Sequence, residues 1–415
     1  MSGRGNVTRR GRNSWRVKFD LGADPVTGRR LTRFVTVRGT RRQALAELTK
    51  LLRSADTGEY VDPANTTVAE FLERWLRDWA AVNVSPSTLQ RYAGIVRMQL
   101  IPHLGEIKIQ KLQADRVAEM YATLLREGRC KKTEDAPIAG LSPRTVSHIH
   151  RVLHLALRIA AKWKLIALNV ADSVDKPKAD DKEVEIIQAD ALPGLLEALR
   201  GKMLYTVAVT ALGTGARRGE LLALRRQDID LAAGTMKIER TLEQTKVGGL
   251  RFKSPKSKRG KRTIKLPADV ITVLRERLKE QQEQWLALGR GRVPPDALIF
   301  ATWDGSPRSP NALSKDWAEA MSKLGLPYTL HALRHTHASA LIAGGMDVET
   351  LSRRLGHAKT SITLNTYSHV FFACIQTGGR SRRQYHGCSV LKRAHGLATE
   401  RKHSGANPVP ILPIG

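Results

Sequence analysis

In the stretch HALRHTHASALIAGGMDVETLSRRLGHAKTSITLNTYSHV, residues 331–370, side chains of catalytic type recur on a helical frame. His331 and Arg334 stand at i and i+3, so they share one helix face, while Leu333, Ala340 and Leu341 fall on the other side. Gly344-Gly345 ends that helix. A further helix closes at Gly356, His357 follows its cap, and Tyr367 comes ten residues later on a short helix. Three histidines within seven residues invite a zinc site. Residues 331–341 have no HExxH, since position 332 is Ala, and no Cys or carboxylate beside the histidines, so no metal and no cofactor is expected. A tyrosine on its own is ordinarily a half-buried packing residue with its hydroxyl satisfied.

Upstream, TGARRGELLAL (214–224) follows an apolar helix that ends in Gly213-Thr214-Gly215. Leu221, Leu222 and Leu224 anchor a new helix, which sets Arg217 at a buried helix start with Glu220 one turn away to orient the guanidinium. Alone, such a pair reads as an ordinary surface i,i+3 contact. Between these motifs KSKRGKRTIKLP (256–267) reads as a tight turn around Gly260 followed by a strand through Thr263, Ile264 and Leu266, the last part of a β-rich patch at 235–267. A lysine on such a tip reaches into a neighbouring site as a proton donor, or simply touches phosphate or solvent.

The whole chain bounds what these residues can serve. Its 415 residues carry 69 Lys and Arg against 39 Asp and Glu, a net +30 that steers it toward polyanions, nucleic acid first. Hydrophobic content of 41% is too high for a disordered chain, and the length suits two or three domains. No apolar run is long enough for a membrane span, and the polar, basic start holds no secretory h-region. Three widely spaced cysteines exclude a disulfide scaffold. The expectation is a soluble cytoplasmic, nucleoid-associated protein that works on double-stranded DNA, with no membrane partner.

Residues 1–42 hold 12 Lys and Arg against two acids. Trp15, Val17, Phe19 and Leu21 alternate with Arg16, Lys18 and Asp20, and after a Pro/Gly turn Leu31, Arg33, Val35 and Val37 alternate with Thr32, Phe34, Thr36 and Arg38. That is a hairpin with one basic face, from which Arg16, Lys18 and Arg33 are expected to reach DNA. From 66 to about 170 the pattern is helical, with two helices opening at Ser85-Pro86 and Ser142-Pro143. On the second, Arg144, His148, Arg151 and Arg158 form a stripe that either tracks a phosphate backbone or is a plain wet face.

Two arginines, two histidines, a lysine and a tyrosine in a DNA-seeking chain suit phosphoryl transfer without metal. Guanidinium groups can stabilise the charge on an attacked phosphodiester, a tyrosine can attack it, and a lysine can protonate the leaving oxygen. The order and spacing of the four stretches resemble the tyrosine recombinase, or phage integrase, family, over about 370 residues from Met1 to Val370. The resemblance implies that Arg217, Lys258, His331, Arg334, His357 and Tyr367 are catalytic, with Tyr367 the nucleophile and Glu220 a supporting acid. Lys256 is the rival of Lys258 for the general acid.

The same resemblance implies a multidomain α+β fold. Its parts are a small basic β-hairpin or sheet arm-type domain (1–60), an all-helical, SAM-like core-binding domain (66–170) and a linker (171–185). A mixed, mainly helical catalytic domain with a β-hairpin patch follows (186–370), then a basic tail (371–415). It also implies a homotetramer on attachment-site DNA, with an accessory excisionase and a host DNA-bending protein as partners. The tail departs from the family, because FFACIQTGGRSRRQYHG lacks the periodicity of a helix that docks on a neighbouring subunit. The expected function is site-specific integration or excision through a 3′-phosphotyrosine. A type IB topoisomerase and a non-catalytic DNA-binding regulator are the alternatives.

Overall fold

The computed structural model describes residues 5–23, 28–57, 60–62, 65–128, 139–178, 184–255 and 258–376. Two compact units divide the chain, Met1–Asp181 and Lys182–Gly415.

Alternation at the N-terminus yields one strand more than the hairpin expected. Strand β1 (Gly5–Gly11) pairs antiparallel with β2 (Ser14–Ala23), which pairs with β3 (Arg30–Arg38). The missed strand, GNVTRRG, holds one apolar side chain, Val7, and so shows little alternation of its own. Val17 and Phe19 are fully buried against Ala44 and Leu48 of the helix Arg41–Asp56, which Thr40 and Gln43 cap reciprocally. Register then fixes the opposite face: Thr8, Arg16 and Thr36 lie abreast, as do Asn6, Lys18 and Phe34. The Arg16 guanidinium sits 4.0 Å above the Phe34 ring on that exposed face. Arg33 is on the other side. It pairs with Phe19 across the strands and forms a bidentate ion pair with Asp62 at 2.7 and 2.8 Å, so its expected place on the basic face is corrected by the period of two.

A second apolar core in the same unit is helical. The helix Val68–Trp75 runs on through a wide turn, Leu76–Ala80, and packs with Pro86–Ile95, Ala114–Glu127 and Pro143–Lys162. Ser142 caps the last of these by accepting from Thr145 N, with Pro143 at the first helical position, as the motif predicts. Arg144, Arg151 and Arg158 are exposed along it. His148 does not complete the stripe, because both ring nitrogens are covered and lack hydrogen-bond partners among the described residues. Nearby Arg91 and Arg151 add to burial in holding it neutral.

The second unit is built around the helix Met203–Thr214, buried on nearly every side between Ala268–Ala287 and Leu330–Ala343. A three-stranded antiparallel sheet of β4 (Ile229–Asp230), β5 (Thr235–Ile238) and β8 (Arg262–Lys265) flanks it, with a separate hairpin of β6 (Thr241–Thr245) and β7 (Gly249–Lys253). The helices Val348–Leu355 and Thr360–Gln376 close the unit through Ala338, Ile342, Leu351, Leu355 and Tyr367. Tyr367 therefore lies in the middle of a 17-residue helix rather than on a short one, and that helix crosses the boundary expected at 370. The remaining tail, 377–415, lies outside the described residues. No helix among the described residues is long and apolar enough to cross a membrane.

Leu153 is fully buried in the helical core and Val82 is 81% exposed. Leu153→Ala is expected to cost about 2–5 kcal/mol in the first unit. Val82→Ala should stay within about 0.5 kcal/mol. Urea unfolding of the two variants beside the parent chain checks the pair.

Candidate active site

Three chain turns in the second unit bring the motif residues together. The helix Met203–Thr214 ends on Gly215 in the left-handed region (φ 65°), and Arg217 then caps the short helix Arg218–Leu222. Glu220, buried on that helix, accepts from Arg217 twice, at the backbone N and at Nη1, both at 2.9 Å. Its other flank accepts from Arg262 of β8, at 2.9 Å from Nη2 and 3.2 Å from Nη1. Burial alone would push the Glu220 carboxyl up, but Arg262 and Arg217 together hold it below the usual glutamate range. Arg262 also donates from Nε to the Arg354 carbonyl at 2.7 Å, which ties β8 to the helix before Gly356.

Gly356 is the hinge of the site. Its φ of 66° is a left-handed cap, and an added Cβ would meet Arg262 Nη1 at 2.7 Å. Two successive carbonyls of this turn accept from the two motif arginines: Leu355 O from Arg334 Nη2 at 2.8 Å and Gly356 O from Arg217 Nη2 at 3.2 Å. Arg334 also donates to the Gly215 carbonyl. It is buried, which pushes its pKa down to about 9, so it stays charged at neutral pH.

His357, next in the chain, accepts at Nε2 from Arg334 Nη2 at 3.0 Å. Because guanidinium can only donate, the ring proton is on Nδ1, which donates to the buried Thr363 Oγ1 at 2.7 Å. Burial and the neighbouring Arg334 push its pKa down to about 3, so this imidazole is neutral.

Tyr367 is 1% exposed, and its hydroxyl is 2.8 Å from Nδ1 of His335, not of His331. The His331 ring meets His335 edge-on, with centroids 4.6 Å apart, and is itself exposed. Burial raises the Tyr367 pKa to about 12, against the opposing pull of Arg334 and Arg217. His337, third in the cluster, turns away. Its Nδ1 meets the Leu212 carbonyl at 2.7 Å and its Nε2 accepts from Arg354 at 3.1 Å, which ties three helices together. Among the described residues no group of three or more His, Cys, Asp or Glu is placed to hold a metal ion.

Sequence reasoning missed His335, Arg262 and Thr363. For His335 the only signal was its place one turn after His331; the contact with Tyr367 comes from packing. Lys258 opens a single 3-10 turn, Lys258–Gly260, before β8. Its neighbour Arg259 reaches Glu349 at 3.4 Å, and the Arg259 carbonyl lies 3.2 Å from where a Cβ on Gly356 would stand, beside the turn that carries His357. Lys256 lies outside the described residues.

The sequence model of the phage integrase family matches residues 185–373, and that of the phage integrase N-terminal SAM-like domain matches 67–125. A tyrosine recombinase XerC-like protein of Caldanaerobacter subterraneus subsp. tengcongensis is 26% identical over 389 residues, 89% of this chain and 96% of that one. Among solved structures, the Tn1549 transposon integrase in complex with a circular intermediate DNA superposes with a TM-score of 0.62 at 22% identity, over 75% of this chain and 98% of that one. A lambda integrase tetramer bound to a Holliday junction gives a TM-score of 0.53 at 18% identity, over 88% and 95%. At these identities the structural likenesses speak for the fold.

Glu220→Gln removes the one negative charge between Arg217 and the buried Arg262. A loss of about 3–5 kcal/mol in the second unit is expected, as for any buried pair broken on one side. The pH dependence has a definite sign. A carboxyl held below its ordinary value contributes stability above the free glutamate pKa of about 4.3 and loses it as pH falls through the depressed value. Thermal melts from pH 3 to 8 should show this acid-side loss in the parent chain and a flatter profile in Glu220→Gln.

Proposed function

The chain belongs to the phage integrase family of tyrosine recombinases, and from that premise we propose how it cuts and rejoins DNA. It is a site-specific DNA recombinase of integrative elements. The observation that carries the assignment of its site is the convergence of Arg217 and Arg334 on the adjacent carbonyls of Gly356 and Leu355, beside His357. Those donors are aimed at one place, and a phosphodiester offers the same kind of acceptor with a full charge.

In this reading Arg217 and Arg334 exchange carbonyl partners for the two non-bridging oxygens of the scissile phosphate. Tyr367 Oη attacks the phosphorus, the 3′-phosphotyrosine bond forms, and the bond to the 5′ oxygen breaks. Lys258 protonates that leaving oxygen. His331, exposed at the entrance, and His357 donate to the phosphate, His357 only after its Nε2 is released from Arg334 and carries a proton. A 5′-hydroxyl from a partner strand then reverses the step, so bond energy is conserved and neither ATP nor a metal enters the balance.

Two basic surfaces suit the DNA outside the crossover. The exposed sheet face carries Arg16 and Lys18 beside Phe34, Thr8 and Thr36, and the helix Pro143–Lys162 carries Arg144, Arg151 and Arg158. The domain plan of arm-type domain, core-binding domain and catalytic domain belongs to this proposal. So do assembly as a homotetramer on DNA, as in the lambda integrase structure, and help from an excisionase and a DNA-bending protein.

Tyr367→Phe should bind attachment-site DNA with unchanged affinity and form no covalent protein–DNA product on a nicked substrate in a denaturing gel. Adduct formation by the Phe variant would remove Tyr367 from the role. Two-site strand exchange by the parent chain separates a recombinase from a topoisomerase, which would only relax supercoils.

Lys258→Ala should slow cleavage by about 10²–10⁴-fold, the range for a lost general acid. Replacing the 5′ bridging oxygen by sulfur, which leaves without protonation, should restore the rate. Rescue seen for Lys256→Ala instead would assign the acid to Lys256.

A further inference from the structure

We propose that His335, not His331, is the base that takes the proton from Tyr367 as the hydroxyl attacks the phosphate. This rests on the recombinase reading above and deepens it, by naming the group that activates the nucleophile.

Tyrosine oxygen attacks a phosphodiester well only as it loses its proton, and the proton needs somewhere to go. Tyr367 is 1% exposed, so bulk water is not at hand. Among the described residues the group in hydrogen-bond contact with Oη is His335, with Nδ1 at 2.8 Å. The two rings sit 5.7 Å apart and tilted at 60°, so the contact is through the ring nitrogen rather than by stacking.

Position on the helix explains why this histidine and not the other is the partner. His335 lies one turn after His331 on Leu330–Ala343, and the nucleophile's helix packs along that same stretch. His331 is thereby left exposed, in edge contact with His335 and one step removed from Oη.

The electrostatic setting suits a proton acceptor. Burial, with Arg334 adding to it, keeps His335 below the usual histidine range, so the ring is neutral before attack. The carboxylate of Glu185, fixed by Thr329 N and Oγ1 at 3.0 Å at the start of the same helix, acts in the opposite sense and favours the imidazolium that forms. Arg334 and Arg217 both favour the tyrosinate, so the hydroxyl lies within electrostatic range of the two guanidinium groups assigned to the phosphate.

The step balances without a further reactant. The Oη–H proton moves to His335 Nδ1 as the Oη–P bond forms, and the P–O5′ bond breaks with its oxygen protonated by the general acid. On rejoining, the imidazolium returns the proton to Tyr367.

Asparagine and alanine at 335 separate a base from a mere hydrogen-bond anchor. The side-chain amide of Asn occupies the position of Nδ1 and can hold Oη, but it cannot carry the proton away. Single-turnover adduct formation is followed on a nicked duplex that carries the junction sequence of the element encoding the chain, with DNA affinity and melting temperature measured alongside.

Both His335→Asn and His335→Ala should lose about 10²–10⁴-fold in rate at unchanged DNA affinity. Added free imidazole should recover part of the rate of His335→Ala and none of that of Tyr367→Phe. A fully active His335→Asn would reduce His335 to a positioning residue, and a His335→Ala that reacts as fast as or faster than the parent would make the contact a latch. Either result overturns the proposal. Failure of the parent chain to form any adduct would strike the recombinase reading itself, a result distinct from every outcome at position 335.

Discussion

Two guanidinium groups converge on one small turn, and the second unit is organised so that their like charges can stay there. Arg217 and Arg334 repel each other, and burial makes that repulsion expensive. One buried carboxylate and three backbone carbonyls offset it: Glu220 on Arg217, Gly356 O on Arg217, and Leu355 O and Gly215 O on Arg334. Both glycines stand in left-handed caps that end helices, so the same backbone geometry that stops each helix aims a carbonyl at an arginine. Arg262 then links the carboxylate to the helix that ends at Gly356. Removing any one of these elements leaves one of the two arginines, or the buried Glu220, with fewer partners.

This arrangement has a bearing on chemistry as well as on folding. Donors already paired with carbonyls are pre-aimed and cost little reorganisation when a better acceptor arrives. The neutral state of His357 fits the same logic, because a protonated ring would add one more positive charge beside Arg334, Arg217 and Arg262.

Much of this was legible in the residues, and the reasons differ from place to place. Helix ends were readable because Gly215, Gly356 and the Ser-Pro starts act locally, through backbone freedom, a proline at the first helical position and, at Ser142 though not at Ser85, a side-chain cap. The Arg217–Glu220 pair followed from helical spacing. What escaped is set by packing between elements. The partner of Tyr367 depends on how two helices lie together, and a spacing of 32 residues carries no sign of it. Arg33 was misplaced because its charge was weighed above its register. The parity that packs the half-buried Val35 and Val37 against the core puts Arg33 on their side, where Asp62 takes its charge. His148 fell on the expected helix stripe, but neighbouring side chains cover its ring.

The long helix under Tyr367 has a mechanical side. Seven residues of Thr360–Gln376 precede Tyr367 and nine follow it, so the rod extends about 14 Å beyond the tyrosine at 1.5 Å per residue. A hydrogen-bonded rod of that length turns and slides as one piece. A load on the far end of that rod is therefore felt at Tyr367, as a turn of the handle is felt at the bit of a key.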